Sequence, residues 1–148
     1  MSLLPRVNNT NTALSLIQNN KSYYDIASDV NTILFASYDS TISHLILPNS
    51  SFPYLKVIVF GSQSYHHVRE FVIDGLESLK SVKIGVRCFR AGNGVCRVTN
   101  CPNLRQLEIG MYSFCNFKSF ELFNLNSLQS IEFGDLCFSY ADFSLKGE

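Results

Sequence analysis

The sequence predicts an all-β solenoid, a stack of similar turns in which each turn contacts only its neighbours. Two observations support this prediction. The first is a seven-residue motif that begins with leucine and ends with glycine. It occurs four times, as LKVIVFG, LKSVKIG, LRQLEIG and LQSIEFG. Its leading residues are spaced 24 or 25 apart, at Leu55, Leu79, Leu104 and Leu128.

The second observation is an alternating pattern that follows each glycine. It reads Phe71-x-Ile73, Cys96-x-Val98, Phe120-x-Leu122 and Phe143-x-Leu145. Apolar and polar residues alternate in both patterns, as in Val82-Lys83-Ile84, which is the period of a strand with one buried face. Each repeat is therefore predicted to hold two short strands. The glycine between them is expected to turn the chain, because glycine accepts positive φ without steric strain.

A weaker copy precedes the four clear repeats. Val30, Ile33 and Phe35 are spaced as Leu55, Ile58 and Phe60 are, and Leu45 and Leu47 supply the second strand. Residues 28–148 are therefore predicted to form a solenoid of about five turns, with two short strands per turn.

Residues 1–27 are expected to form an N-terminal tail and cap. Residues 1–12 are polar, and residues 12–28 have apolar side chains at a rough helical spacing. A short helix here would cover the open end of the core, which the first repeat of a solenoid must protect. An irregular loop is the alternative.

Composition and charge narrow the function classes. The 148 residues are enough for one domain with a core, and the net charge is zero, which disfavours nucleic-acid binding. No apolar run is long enough to span a membrane. The start of the chain lacks the apolar segment of a signal peptide, and the five cysteines are an odd number. A reducing compartment such as the cytoplasm is therefore favoured, with the cell surface as the alternative if the chain is a fragment of a secreted protein.

The repeats resemble leucine-rich repeats of the bacterial-surface (BspA-like) type. The units that carry this resemblance combine a leucine-spaced strand, a glycine and a Ser/Cys–aromatic pair, as in LKSVKIGVRCF, LRQLEIGMYSF and LQSIEFGDLCF. The resemblance implies a right-handed leucine-rich-repeat solenoid, a scaffold that works by protein binding. The chain departs from the better-known leucine-rich pattern because other residues stand at the asparagine position, namely Gln63, Arg87, Tyr112 and Leu136.

No group of residues has the spacing of a catalytic or metal site. Cys96 and Cys101 stand where other repeats have core residues, and no C-x-x-C motif is present. His66 and His67 are adjacent in a bend, where they would point apart. The sequence therefore predicts a protein that is not an enzyme and that has no cofactor or metal site.

The outward residues of the first strands form the predicted binding surface. One set runs Leu34, Val59, Lys83, Glu108 and Glu132, and a second runs Thr32, Val57, Ser81, Gln106 and Ser130. This surface is apolar in the N-terminal repeats and charged in the C-terminal ones. We predict protein–protein recognition, and the expected contact residues are Val57, Val59, Lys83, Glu108 and Glu132.

Two other interpretations stay open. In the first, this surface is only solvated, and Lys83 and Glu108 form an ordinary cross-strand pair. In the second, the chain is a fragment of a cell-surface adhesin or glycan-binding protein. The sequence leaves the partner's identity and the oligomeric state open.

Overall fold

The computed structural model describes residues 6–7, 12–14, 29–35, 42–48, 52–138 and 142–146. All regular structure in these residues is β, and they contain no helix that could cross a membrane. The strands are β1 (Arg6–Val7), β2 (Thr12–Leu14), β3 (Thr32–Phe35), β4 (His44–Leu47), β5 (Val57–Phe60), β6 (Glu70–Asp74), β7 (Ser81–Ile84), β8 (Val95–Thr99), β9 (Gln106–Ile109), β10 (Ser119–Phe123), β11 (Ser130–Phe133) and β12 (Asp142–Lys146).

The strands belong to two sheets, as the two patterns in each repeat predict. A seven-stranded sheet has the order β1-β2-β3-β5-β7-β9-β11, and a five-stranded sheet has the order β12-β10-β8-β6-β4. Strands from successive repeats pair in parallel, and equivalent residues such as Val82 and Leu107 lie opposite one another. The result is a β-solenoid of about four turns. A fifth turn stays a prediction.

The N-terminal segment differs from the predicted helical or irregular cap. Residues 12–14 form strand β2, which pairs in parallel with β3, and residues 6–7 form β1, antiparallel to β2. The edge of β3 offers backbone groups that must be paired, and this need outweighs a weak helical pattern. The rest of the predicted cap, residues 15–28, lies outside the described residues.

Both sheets turn alternate side chains into one core. In β5, Ile58 and Phe60 are buried while Val57 and Val59 are partly exposed. The aromatic residues after the glycines fill the corner of each turn. Their rings stack with centroids 5.7, 4.8 and 4.9 Å apart along the series Tyr65, Phe89, Phe114 and Phe138.

The glycines at the end of the first strands are required for a reason other than the predicted one. Their φ values are not positive; instead the positive φ occurs two residues later, for example 58° at Gln63 and 61° at Arg87. What excludes a side chain is the neighbouring repeat. A Cβ on Gly110 would lie 2.6 Å from the carbonyl oxygen of Gly85, and one on Gly134 would lie 2.4 Å from the amide nitrogen of Met111.

Candidate binding face of the seven-stranded sheet

The structure places all five predicted contact residues on the outer side of the seven-stranded sheet, here called the outer face. The register sets Val59 opposite Lys83, Lys83 opposite Glu108, and Glu108 opposite Glu132. Val57 lies in the adjacent set, opposite Ser81. Strand alternation positions these side chains, because their neighbours in sequence point into the core.

The outer face is apolar at one end. Leu34 on β3 pairs with Val59 on β5, and both side chains are partly exposed. Val57 is also partly exposed, next to Thr32 on β3. Half-exposed aliphatic side chains on adjacent strands give this end of the face a continuous apolar surface.

The other end of the outer face is charged. Lys83 Nζ lies 3.4 Å from Glu108 Oε2, so the predicted cross-strand pair is present. An exposed pair of this kind contributes ~0.2–1 kcal/mol. Glu132 on the next strand is exposed beside Glu108, and it forms no ion pair with the described residues. The carboxylates of Glu108 and Glu132 therefore lie on adjacent strands, and Lys83 pairs with Glu108.

The outer side of the five-stranded sheet is different, because its carboxylates have partners. His44 Nδ1 lies 2.9 Å from Glu70 Oε1, and Arg97 Nε lies 3.3 Å from Glu121 Oε1. The described glutamates of β6 and β10 each have a partner, whereas Glu132 on the outer face forms no ion pair with a described residue.

Two ladders of polar side chains hold the bends, and neither was predicted from the sequence. In the first, a hydroxyl or thiol in each bend donates to a backbone carbonyl: Ser113 Oγ to Gly85 O at 2.7 Å and Cys137 Sγ to Gly110 O at 3.1 Å. The sequence does contain a signal for this ladder, because a serine or cysteine stands at the same place in each repeat, at Ser64, Cys88, Ser113 and Cys137.

The second ladder follows the second strands. Asn100 Nδ2 donates to Asp74 Oδ1 at 2.9 Å, and Asn124 Nδ2 donates to Asn100 Oδ1 at 2.9 Å. Both asparagines have positive φ, 55° and 58°, which asparagine tolerates better than most residues. The leucine-rich pattern places its asparagine after the first strand, whereas the amide ladder of this chain follows the second strand.

Four of the five cysteines lie in surroundings that suppress thiolate chemistry. Burial raises the pKa of Cys96 well above its usual value and raises the pKa of Cys101 to about 11. Burial also raises the pKa of the Cys88 and Cys137 thiols, against the effect of backbone hydrogen bonds. A protonated thiol is a poor nucleophile and metal ligand. Within the described ranges, no three His, Cys, Asp or Glu side chains are grouped to hold a metal ion.

Comparison with known proteins adds no relative: no protein-family model, no curated protein and no solved structure matches the chain.

Proposed function

We propose that this chain is a non-enzymatic protein-recognition module that binds its partner through the outer face. We further propose that its turns are leucine-rich repeats of the BspA-like type. The observation that carries the proposal is the adjacent pair Glu108 and Glu132: Lys83 lies 3.4 Å from Glu108, and Glu132 forms no ion pair with a described residue.

The two ends of the outer face suggest the chemistry of the partner. An aliphatic group would pack against Val57 and Val59, and a lysine or arginine would lie against Glu132. Complementary charge at an interface mainly sets the rate of association and the choice of partner, whereas the apolar contact supplies most of the affinity. A sheet of parallel strands presents both features on one surface.

The test is a comparison of charge-reversal variants. The partner is first captured from the source cell with the parent chain, identified and purified. Glu132→Lys is then expected to weaken binding about tenfold, or ~1.4 kcal/mol, chiefly through a slower association rate and more strongly at low salt. Val59→Asp should weaken binding through faster dissociation.

Glu77→Lys is the matched control, because Glu77 is an exposed bend residue away from the outer face. It makes the same change of charge and should bind like the parent. If Glu132→Lys and Val59→Asp also bind like the parent, the outer face is solvated and the proposal is wrong. If the purified chain instead retains glycans on an array and captures no protein, the adhesin or glycan-binding alternative is favoured.

A further inference from the structure

The bends that follow the first strands form a second charged surface, separate from the outer face. Residues 61–69, 85–94 and 110–118 connect β5 to β6, β7 to β8 and β9 to β10. These three bends contain no Asp or Glu, and their basic residues are His66, His67, Arg69, Arg87, Arg90 and Lys118. The chain as a whole has no net charge, so these three bends carry a local excess of positive charge.

The arginine and lysine side chains of the three bends are exposed. Arg69, Arg87, Arg90 and Lys118 are all exposed, and none of them forms an ion pair with a described residue. By contrast, Lys83 and Arg97 on the two sheets each face a glutamate across a strand. The four cations of the bends are therefore available to an anion from solution.

The bends are held in fixed positions above one another. The amide of Arg87 donates to Met111 O at 2.9 Å, and the amide of Asn93 donates to Asn116 O at 3.0 Å. The guanidinium carbon of Arg87 also lies 5.3 Å from the centre of the Tyr112 ring, a cation–π distance. The positive surface is thus supported by a rigid backbone.

A groove of about 490 Å³ lies on this surface, lined by Ser43, His66, His67, Arg69, Ala91 and Gly92. Among the described residues that line the groove, none carries a carboxylate. Glu70 follows Arg69 in the chain, but its Oε1 is engaged by His44 Nδ1 at 2.9 Å. At Gly92 a Cβ would meet nothing within 4 Å, so packing does not require glycine there. The absence of a side chain leaves the groove open at that point.

We propose that this groove binds an oxyanion of the phosphate or sulfate monoester type, carried by a larger ligand. The Arg69 guanidinium presents parallel N–H donors that match two oxygens of such a group, and charge-assisted bonds of this kind are stronger than neutral ones. The Ser43 hydroxyl and the His67 ring line the same groove and can donate further hydrogen bonds. The groove volume accommodates the oxyanion together with part of the group that bears it. This site is independent of the proposed protein-binding face.

The first experiment titrates the purified, nitrogen-15-labelled chain at constant ionic strength and follows its backbone amide signals. The probes are inorganic phosphate, O-phosphoserine and N-acetylglucosamine 6-sulfate. Inorganic phosphate should give saturable shifts centred on Ser43, His67 and Gly92, with a dissociation constant of roughly 10 mM or lower. Tighter binding of O-phosphoserine or of the sulfated sugar then identifies the source of the monoester. Absence of a saturable shift with all three probes would overturn the proposal.

The second experiment asks whether the groove itself binds the anion. Arg69→Gln should weaken phosphate binding about tenfold or more, and Gly92→Val should weaken it by filling the groove without a change of charge. Arg105→Gln is the matched control, because it removes the same charge from an exposed position after β8. Thermal unfolding shows that each variant is folded. Equal losses in Arg69→Gln and Arg105→Gln, or parent-like binding by Arg69→Gln, would show non-specific attraction and contradict the site.

Discussion

At the scale of single residues, the bends depend on a few buried polar atoms. Ser113 is fully buried, and its hydroxyl donates to Gly85 O at 2.7 Å while it accepts the Cys88 amide at 3.0 Å. One side chain thus joins two adjacent repeats. A cysteine takes the same position in the repeats on either side, at Cys88 and Cys137.

Ser113→Ala should lower the free energy of unfolding by about 1–3 kcal/mol, because it leaves a buried carbonyl and a buried amide without this partner. Ser113→Cys should be less damaging, since a thiol already makes the equivalent bond to Gly61 O at 3.1 Å from Cys88. Urea denaturation measures both variants, with Ser130→Ala on the exposed β11 as a control. Equal losses for alanine and cysteine would show that a thiol does not replace the hydroxyl at this position.

Cys101 should make stability depend on alkaline pH. Burial raises its pKa from 9.0 to about 11, so the thiol holds its proton in the folded protein at pH values where it is lost in the unfolded chain. This difference in pKa contributes on the order of 2 kcal/mol to the free energy of unfolding. The contribution is fully present below about pH 9 and is lost as the pH rises through about 11.

Cys101→Leu is the matched variant for this pH effect, because Leu76 and Leu125 occupy the same position in the adjacent repeats. Its stability should fall less steeply than that of the parent between pH 9 and 11. Urea denaturation at fixed pH values measures both slopes. Identical slopes would show that Cys101 ionises normally in the folded protein.

At the scale of elements, strands were the easiest part to predict from the sequence. Alternation in segments such as Ser119–Phe123 specifies a one-sided strand, and four repeats in phase fix the register. The rough helical spacing over residues 12–28 was too weak to predict the N-terminal cap correctly. In its described part, residues Thr12–Leu14 form a strand. Their structure is decided by the edge of β3, a tertiary effect.

The positions of the outer-face residues were predicted from the sequence. The hydrogen bonds that hold the bends beside this face were not predicted. The set containing Lys83, Glu108 and Glu132 follows directly from alternation and the repeat length. The Ser/Cys and asparagine ladders were missed because hydrogen bonds between repeats depend on bend geometry, which hydrophobic periodicity does not report. The bend conformation was likewise assigned to the glycine, whereas positive φ falls on residues such as Gln63 and Arg87.

The close approach of successive bends gives a prediction for the glycines. Gly110→Ala should destabilise the protein by about 1–3 kcal/mol, since its Cβ would lie 2.6 Å from the Gly85 carbonyl oxygen and the backbone must shift. Gly92→Ala should change stability little, because a Cβ there meets nothing within 4 Å. Thermal unfolding of the two variants should separate them clearly. Similar midpoints would mean that the bends can move apart.

At the scale of the whole molecule, burial is uneven along the stack. Ile109 is 2% exposed, whereas Phe133 at the same position of the next repeat is 41% exposed. The two inward residues of β11, Ile131 and Phe133, are less buried than Leu107 and Ile109 at the equivalent positions of β9. The last described strand of the seven-stranded sheet therefore contributes less to the core than the strands before it.

This gradient can be tested with two leucines that hold the same place in successive repeats. Leu104 is fully buried, so Leu104→Ala should cost about 2–5 kcal/mol. Leu128 is only partly buried, and Leu128→Ala should cost clearly less. Urea denaturation gives both values. A loss below about half a kcal/mol at Leu104 would show that the assigned register is wrong, and equal losses would contradict the gradient.

The bonds between repeats also set how the chain can fold. Those that join adjacent turns through side chains connect residues close to one repeat apart, such as 25 between Cys88 and Ser113 and 24 between Asn100 and Asn124. Each added turn therefore closes a loop of the same length and pays the same entropy of closure, wherever it lies in the stack. The slow step is the meeting of the first two adjacent turns, and the others are added one after another at a nearly constant cost. A chain lengthened by one more repeat should fold at almost the same rate.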